Sequence, residues 1–317
     1  MPEAENSVVI ENLVKRFGSF VAVDRLSLAV RRGEVFGFLG PNGAGKSTTI
    51  RMLCGLLKPT YGRARVAGFD VARDPESVRQ NIGYMSQKFS LYNDLTVIEN
   101  LRLFAGLYSV PAKQVEERIA WALEMANLKG QENLMTRILP GGWKQRLALG
   151  CAVLHRPPII FLDEPTSGVD PISRRLFWNL IQQMATEGVT VFVTTHYMEE
   201  AEYCNRLALI FRGKAVALGS PSELKSNSMK GELLLVECEP LGRALDALQS
   251  APGVMDAAVF GNALHLSVEN AASAAPGIDA FLRQRGLTPV KIEKIRPTLE
   301  DVFVSLTSGS ATEARTQ

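Results

Sequence analysis

A glycine-rich segment early in the chain has the pattern of a phosphate-binding loop. The segment reads FLGPNGAGKSTTI, in which Gly40 is followed after four residues by Gly45-Lys46-Ser47. Glycines allow successive backbone N–H groups to face one phosphate, and the positive end of the following helix strengthens that attraction. The ammonium of Lys46 should reach the β- and γ-phosphates, and the hydroxyl of Ser47 should ligate Mg²⁺. We predict a nucleoside triphosphate site that comprises Gly40, Pro41, Asn42, Gly43, Ala44, Gly45, Lys46, Ser47 and Thr48.

Two acidic residues and a histidine follow apolar segments farther along the chain. Asp163 and Glu164 come directly after PIIFL, and His196 comes directly after TVFVTT. An aspartate at the end of such a strand can hold Mg²⁺ through water, and the next glutamate can polarise an attacking water as a general base. Taken alone, an acidic pair is also typical of a solvated strand end, and a lone histidine is more often structural. Beside the phosphate loop, we expect Asp163 to serve the metal, and we expect Glu164, His196 and Lys46 to serve catalysis.

A glycine pair precedes another helical pattern. The segment ILPGGWKQR, residues 138–146, places Gly141 and Gly142 just before a helical pattern that runs from Gln145 to Leu154. Glycines that open a helix leave backbone N–H groups without a partner, and such groups commonly bind phosphate. We therefore predict that Gly141 and Gly142 also contact a phosphate.

The elements that position these residues are predicted to alternate between strands and helices. Segments 7–12 and 21–30 alternate apolar and polar residues as half-buried strands do, whereas 34–39, 158–162 and 190–195 are nearly continuous apolar runs. Such runs are typical of parallel strands that are covered on both faces. The order of strands and helices predicts an α/β domain with a parallel core.

Helices are expected on either side of these strands. One should follow the phosphate loop from about residue 45 to residue 57, and a longer helical pattern at 97–128 should break near Pro111. Beyond the first domain, 1–222, the order in residues 223–308 is β-α-β-β-α-β, which predicts a small ferredoxin-like α+β domain. The small polar residues at 309–317 predict a disordered tail.

Composition narrows the possible functions. The net charge of +2 gives no general attraction to nucleic acid, so we expect no nucleic-acid partner. Four widely spaced cysteines suggest neither a zinc site nor a disulfide framework. The sequence contains no apolar run of about 18 residues, and its first residues, MPEAENS, are polar and acidic. We therefore expect a cytosolic protein that reaches a membrane only by docking on another subunit.

Together these motifs resemble those of the nucleotide-binding subunit of an ABC transporter. In chain order they are the phosphate loop, Gln87 in IGYMSQ, LPGGWKQRLALG, IIFLDEP, SGVD and His196, and the resemblance covers about residues 7–220. It implies a phosphate-loop ABC ATPase domain with a mixed-sheet core, an antiparallel β subdomain and a helical subdomain at about 88–155. The segment GYMSQKFSLYNDLTVIENLRLFAGLY and the ending RPTLEDVFVSLT resemble type-two exporters of drugs, antibiotics, polysaccharides or lipids.

The resemblance also implies roles for single residues. Phe17, in VKRFGSF, matches the aromatic residue that stacks on adenine, and Gln87 matches the glutamine that senses Mg²⁺ and meets the membrane partner. Asp170 ends the segment PTSGVD that follows Glu164, and it is implied to lie at the nucleotide. The implied Mg²⁺ ligands are Ser47, Gln87 and Asp163, and the implied nucleotide is ATP.

Partners follow from the same resemblance. In the family, two ATPase subunits dimerise head to tail, and the signature glycines of one bind the γ-phosphate held by the other. We expect a homodimer rather than a heterodimer, bound to a separate transmembrane permease at the cytoplasmic face of the inner membrane. The apolar face of residues 88–110 could receive a short helix of that permease, or it could pack in the core.

The chain departs from the family signature at two positions. Pro140 replaces the serine whose hydroxyl would contact the γ-phosphate, and Trp143 replaces a glutamine. One hypothesis is a slow but complete site in which Lys144 or Trp143 compensates. A second is a pair of unequal ATPase domains, and a third is that the proline is neutral.

Soluble relatives of this ATPase act on DNA or on ribosomes, and they are the alternative function. The DNA-repair members insert a long coiled coil between the phosphate loop and the signature, and the interval 48–138 has no room for one. The translation factors usually carry two ATPase domains and a basic linker on one chain, and the sequence contains neither. The sequence therefore favours a transporter subunit.

Overall fold

The computed structural model describes residues 6–87, 91–229 and 231–313, and for 308–313 it describes the backbone only. Contacts within the chain divide it into two compact units, with the division after Leu218. The boundary expected at 222/223 instead falls inside a short helix, Pro221–Asn227. That helix is explained by Ser220 and Glu223, which form a capping box at its start.

A mixed sheet, parallel in all but its edge strand β10, forms the core of the first unit, as the family resemblance implied. Among the described residues its strand order is β10-β9-β3-β8-β7-β6, and the β6/β7, β7/β8, β8/β3 and β3/β9 pairs are all parallel. The strands are β3 (Val35–Leu39), β6 (Ile82–Met85), β7 (Ile159–Asp163), β8 (Thr190–Thr195), β9 (Arg206–Phe211) and β10 (Lys214–Gly219). Every residue of β3, β7 and β8 is buried, which confirms the prediction drawn from the continuous apolar runs.

An antiparallel sheet flanks this core. Its order is β2-β1-β4-β5, with β1 (Asn6–Phe17), β2 (Phe20–Arg31), β4 (Tyr61–Val66) and β5 (Phe69–Asp70). The predicted strands 7–12 and 21–30 were too short, because each of the two real strands has twelve residues. Register shifts between β1 and β2 mark bulges or irregularities in the pairing. An extra residue at a bulge interrupts the two-residue alternation of apolar and polar positions, so the sequence pattern does not reveal the full length of the strand.

The helices of the first unit cover the sheet or form a separate layer. They are α1 (Lys46–Leu53), α2 (Pro75–Gln80), α3 (Val97–Leu107), α4 (Val115–Met125), α5 (Gly141–Val153) and α6 (Pro171–Thr186). α3 and α4 are separate helices on either side of Pro111, as predicted. α1 stops at Leu53 rather than at residue 57, because Gly55 adopts a left-handed φ of 66° and the N–H of Leu56 bonds back to Arg51.

The second unit has the predicted β-α-β-β-α-β order. It contains α7 (Pro221–Asn227), β11 (Glu232–Glu239), α8 (Leu241–Leu248), β12 (Val254–Phe260), β13 (Ala263–Val268), α9 (Ala271–Gln284), β14 (Thr288–Ile295) and α10 (Leu299–Glu313). The sheet order among its described strands, β14-β11-β13-β12, is that of a ferredoxin-like fold. Its core is built from β11, β13, α8 and α9 and includes Leu234, Leu266 and Leu282.

The end of the chain differs from the prediction. The final helix starts at Leu299 and continues to Glu313, into the stretch 309–317 that was predicted to be disordered. Extending a helix that has already formed costs little, so a polar composition alone does not end it. Residues 314–317 lie outside the described residues. None of the helices in the described part of the chain has the length and apolar character that crossing a membrane requires.

Candidate functional site

The predicted phosphate loop connects β3 to α1 and is tightly wound. A Cβ atom on Gly40 would lie 2.2 Å from the carbonyl oxygen of Ile210, and one on Gly45 would lie 2.4 Å from that of Ala22. Gly45 also adopts a φ of 102°, a conformation that side chains rarely permit. The loop path therefore excludes any larger residue at both positions.

A cavity of about 350 Å³ opens beside this loop. It brings together half of the residues that were predicted to bind the nucleotide, together with the predicted base Glu164. The lining residues are Phe20, Ala22, Asn42, Gly43, Gly45, Lys46, Ser47, Thr48, Gln87 and Glu164. The other predicted loop residues, Gly40, Pro41 and Ala44, are not among the residues that line the cavity.

Lys46 is buried at the base of the cavity and is 4% exposed. Its ammonium donates to the carbonyl oxygens of Gly40 and Pro41 at 2.8 and 3.2 Å. It also lies 3.0 Å from Oε1 of Glu164, which is 5% exposed. Since a buried charge is costly without a partner, the ammonium and the carboxylate stabilise each other here.

The three predicted catalytic residues form one cluster, because the carboxylate of Glu164 contacts both Lys46 and His196. Its Oε2 accepts a hydrogen bond from Nε2 of Gln87 at 3.0 Å and lies 3.2 Å from Nδ1 of His196. The backbone of Glu164 has a φ of 48°, which is unusual for a residue with a side chain. Its N–H donates to the hydroxyl and to the carbonyl of Thr194 at 3.0 and 3.1 Å, so β8 holds it in that conformation.

Asp163 and Ser47 form the predicted metal-binding part of the site. The hydroxyl of Ser47 donates to Oδ1 of Asp163 at 3.0 Å, and the hydroxyl of Thr194 donates to the same oxygen at 2.7 Å. Burial raises the pKa of the Asp163 carboxyl, and the hydrogen bonds from Thr194 and Ser47 oppose that rise. The sequence analysis missed Thr194, although its place at the end of an apolar strand beside His196 was a usable signal.

The aromatic residues near the cavity lie at the turn between β1 and β2. Phe17 and Phe20 are paired across this turn, and their exposed fractions are 50% and 62%. Phe20 lines the cavity, whereas Phe17 lies under the ammonium of Lys15 at 5.2 Å. Stacking on adenine by Phe17 remains a prediction, and Phe20 is a second exposed ring that the sequence analysis missed.

The predicted signature glycines lie at the start of α5 and do not line the cavity of their own chain. Pro140 is the N-cap, and the helix begins at Gly141, so the N–H groups of Gly141 and Gly142 have no partner within the helix. Those of Trp143 and Lys144 donate to the carbonyl of Pro140. A Cβ on Gly142 would lie 2.5 Å from Cβ of Ser173, but one on Gly141 would meet no described heavy atom within 4 Å. Gly142 is thus needed for packing, whereas Gly141 faces open space.

The residues next to the signature have contacts of their own. Nζ of Lys144 donates to the carbonyl of Arg137 at 3.1 Å, and Trp143 packs against the core around α3, α4 and α5. Compensation for Pro140 by either side chain stays a prediction. Asp170 is the N-cap of α6, and the hydrogen bonds from Ser173 lower the pKa of its carboxyl. Its contact with a nucleotide stays a prediction.

Comparison with known families matches both units. Residues 23–167 match the family described as ABC transporter. Residues 219–307 match the family described as ATP-binding protein DrrA1-3-like, C-terminal domain. The match to the probable multidrug ABC transporter ATP-binding protein YbhF of Escherichia coli (strain K12) is 53% identical over 228 residues. It covers 72% of this chain but only 39% of that relative's length.

Other relatives match along nearly their whole length. The Nod factor export ATP-binding protein I of Cupriavidus metallidurans is 36% identical over 94% of this chain and 96% of its own. The daunorubicin resistance ATP-binding protein DrrA3 of Streptomyces coeruleorubidus is 34% identical, over 96% of each chain.

Solved structures agree on the fold of the first unit. The structure of cbiO1 from Clostridium perfringens, part of the ABC transporter complex cbiONQ, has a TM-score of 0.65 at 26% identity and covers 70% of this chain and 92% of that one. A dimeric ATP-binding cassette in a post-hydrolysis state, bound to ADP and phosphate, has a TM-score of 0.61 at 28% identity and covers 67% and 98%.

Proposed function

This chain belongs to the family of ABC transporter ATP-binding proteins, and from that premise we propose that it hydrolyses ATP to drive export through a separate membrane-spanning subunit. The observation that carries the proposal is the cluster in which Lys46, Gln87 and His196 all contact Glu164 at the phosphate-loop cavity. Relatives named for Nod factor export and for daunorubicin resistance support the direction of transport. The compounds in these two names differ, so we assign no transported substrate to this chain.

The residues around Asp163 suit a magnesium ion that arrives with ATP. Ser47, Gln87 and Asp163 supply hydroxyl, amide and carboxylate oxygens, which are the ligand types that Mg²⁺ prefers, and Ser47 and Asp163 are already hydrogen-bonded to each other. When bound, the ion would neutralise charge on the phosphates. Asp163 is kept in place by Thr194, so this side of the site is formed before ATP binds.

Binding of ATP requires the site to exchange contacts. Lys46 is engaged by the loop carbonyls and by Glu164, and we propose that its ammonium turns to the β- and γ-phosphates. That exchange leaves Glu164 free to accept a proton from the attacking water. His196, already 3.2 Å from Glu164, then donates to the γ-phosphate and stabilises the charge that develops on it.

We further propose that two such chains pair head to tail. The signature of a chain does not line its own cavity, and the open space around Gly141 would allow a neighbour's γ-phosphate to approach the N–H groups of α5. A homodimer is the simpler arrangement, because each chain carries both halves of the site. Docking on the permease would place the pair at the cytoplasmic face of the membrane.

Docking of a permease helix and packing in the core were the two uses predicted for the apolar face of residues 88–110. Leu91, Val97 and Leu101 are buried in the core of the first unit, so most of that face packs inside, and residues 88–90 lie outside the described residues. Tyr92 and Leu107, which are 54% and 64% exposed, remain as candidate contacts.

The function is tested with the purified chain and with membranes. We expect Mg²⁺-dependent release of phosphate from ATP, and recovery of the tagged chain with a membrane protein rather than with ribosomes or DNA. Recovery with ribosomes in the absence of membrane protein would favour the soluble alternative instead.

The two signature glycines should respond differently to alanine. Gly141→Ala should fold normally but lose about 10²-fold in ATP turnover, because its methyl group blocks the approach of the phosphate. Gly142→Ala should lower the free energy of unfolding by about 1–3 kcal/mol, because Cβ of Ser173 lies 2.5 Å from the new atom. Thermal unfolding and phosphate release measure the two effects. Unchanged turnover in Gly141→Ala would contradict the proposed phosphate contact.

Pro140→Ser tests whether the signature is weakened. A serine N-cap should stabilise α5 by about 1 kcal/mol, and its hydroxyl should raise ATP turnover about 10-fold by adding a hydrogen bond to the phosphate. Pro140→Ala is the control, since it restores a backbone N–H but no hydroxyl. An equal rate in all three proteins would show that the proline is neutral.

A further inference from the structure

A second glutamate, Glu200, is buried close to the catalytic cluster but takes no part in it. It lies in the short 3₁₀ helix Met198–Tyr203, which follows His196, and it is 1% exposed. The neighbouring Glu199 is exposed to solvent. A carboxylate buried this deeply is costly unless other groups compensate it, so its partners indicate its role.

The first partner of Glu200 comes from the loop that carries Glu164. The hydroxyl of Thr166 donates to Oε1 of Glu200 at 2.5 Å, and Thr166 is itself 1% exposed. Thr166 lies two residues after Glu164, whose φ of 48° is held against local preference. Glu200 therefore anchors the residues after Glu164 through Thr166, whereas β8 anchors the backbone N–H of Glu164 itself through Thr194.

The second partner is Arg174 on α6. Its Nε lies 3.4 Å from Oε1 of Glu200, and its guanidinium lies 4.4 Å from the ring centre of Tyr197. The ring of Tyr197 in turn lies 4.1 Å from that of His196. The same arginine donates to the carbonyl of Val169 at 3.4 Å, in the loop that follows Glu164. One cation thus contacts both the loop after Glu164 and the 3₁₀ helix after His196.

The carboxylate of Glu200 is not fully satisfied by these contacts. Within the described residues, its Oε2 is buried and has no hydrogen-bond partner. Glu200 therefore contacts both Thr166 and Arg174 through the same oxygen, Oε1.

We infer that Glu200 is a positioning residue for hydrolysis, which fixes Glu164 relative to His196 through Thr166 and Arg174. The inference rests on the proposed ATPase function, because it assigns Glu164 and His196 to the reaction. Thr166 and Arg174, the partners of the Glu200 carboxylate among the described residues, do not line the cavity, so its effect should fall on catalysis rather than on ATP affinity. A displacement of about 1 Å in a catalytic group can lower a rate by about 10²-fold.

Four variants test the inference: Glu200→Ala, Glu200→Gln, Thr166→Val and Thr166→Ser. We expect Glu200→Ala and Thr166→Val to lower kcat by about 10- to 100-fold, while the ATP dissociation constant changes by less than about 3-fold. Glu200→Gln keeps an acceptor for Thr166 but loses the charge that faces Arg174, so its kcat should be intermediate. Thr166→Ser restores the hydroxyl and should recover turnover. Glu199→Gln is the matched control and should behave as wild type.

The outcomes separate this inference from the proposed function. Absence of hydrolysis by the wild-type chain would overturn the proposed function, and the inference with it. Wild-type hydrolysis with undiminished kcat in Glu200→Ala and Thr166→Val would overturn the positioning role alone. A parallel loss of kcat, ATP affinity and melting temperature would also overturn it, because that is the signature of a purely structural residue. If Glu200→Ala does not fold, the nearly isosteric Thr166→Val, compared with Thr166→Ser, decides the question.

Discussion

Turnover of ATP by the Glu164→Gln variant is expected to fall by about 10³-fold, within the range that a general base contributes. The amide has nearly the shape of the carboxylate but cannot accept the proton of the attacking water. Glu164 also holds the ammonium of Lys46 by an ion pair at 3.0 Å. Removing that charge releases Lys46 for the phosphates, so we expect ATP to bind at least as tightly as to the wild-type chain.

Phosphate release and ATP binding should be measured on the same preparation of Glu164→Gln. Glu199→Gln, an exposed glutamate on the segment after His196, controls for the loss of one negative charge. Turnover close to that of the wild-type chain would refute the role of Glu164 as base.

Size-exclusion of Glu164→Gln with and without Mg-ATP tests the proposed dimer. A shift to dimer with ATP would mean that the Pro140 signature still closes on a neighbour's γ-phosphate. A chain that binds ATP and stays monomeric would point to an obligatory partner, either a second ATPase subunit or the permease.

Lys46→Ala is expected to lower ATP affinity by about 10²-fold and to abolish measurable hydrolysis, because charge-assisted hydrogen bonds to phosphate are lost. The same change should destabilise the nucleotide-free chain. Breaking a buried ion pair from one side leaves the other charge unpaired and costs about 3–5 kcal/mol. We expect a loss of about 3 kcal/mol, the lower end, since Glu164 keeps Gln87 and His196 as partners.

Denaturant unfolding without nucleotide measures this effect. Adding Glu164→Gln to Lys46→Ala should recover stability, because the unpaired carboxylate is then gone. Lys113→Ala, at an exposed position, is the control for loss of a lysine side chain. Wild-type stability in Lys46→Ala, or a double variant less stable than the single one, would contradict the account of the buried ion pair.

The sequence alone determined the local parts of this protein. The spacing from Gly40 to Ser47 identified the phosphate loop, because its function depends on consecutive backbone N–H groups. The continuous apolar runs identified the buried parallel strands of the core sheet, because burial on both faces leaves no polar positions. Element boundaries were less well predicted where the backbone breaks its period, as at the bulges of β1 and at the left-handed Gly55.

Only the tertiary structure decided which of these residues touch one another. Gln87 and Glu164 lie 77 positions apart in the chain, and Thr166 and Glu200 lie 34 apart, yet each pair is hydrogen-bonded. The same holds for the packing of Gly142 against Ser173, which separates the tasks of two adjacent glycines that look alike in the sequence. The physical reason is that a sequence pattern encodes the period and the ends of each element. Contacts between elements depend on strand order and register, which fix which side chains meet at the carboxyl ends of β7 and β8.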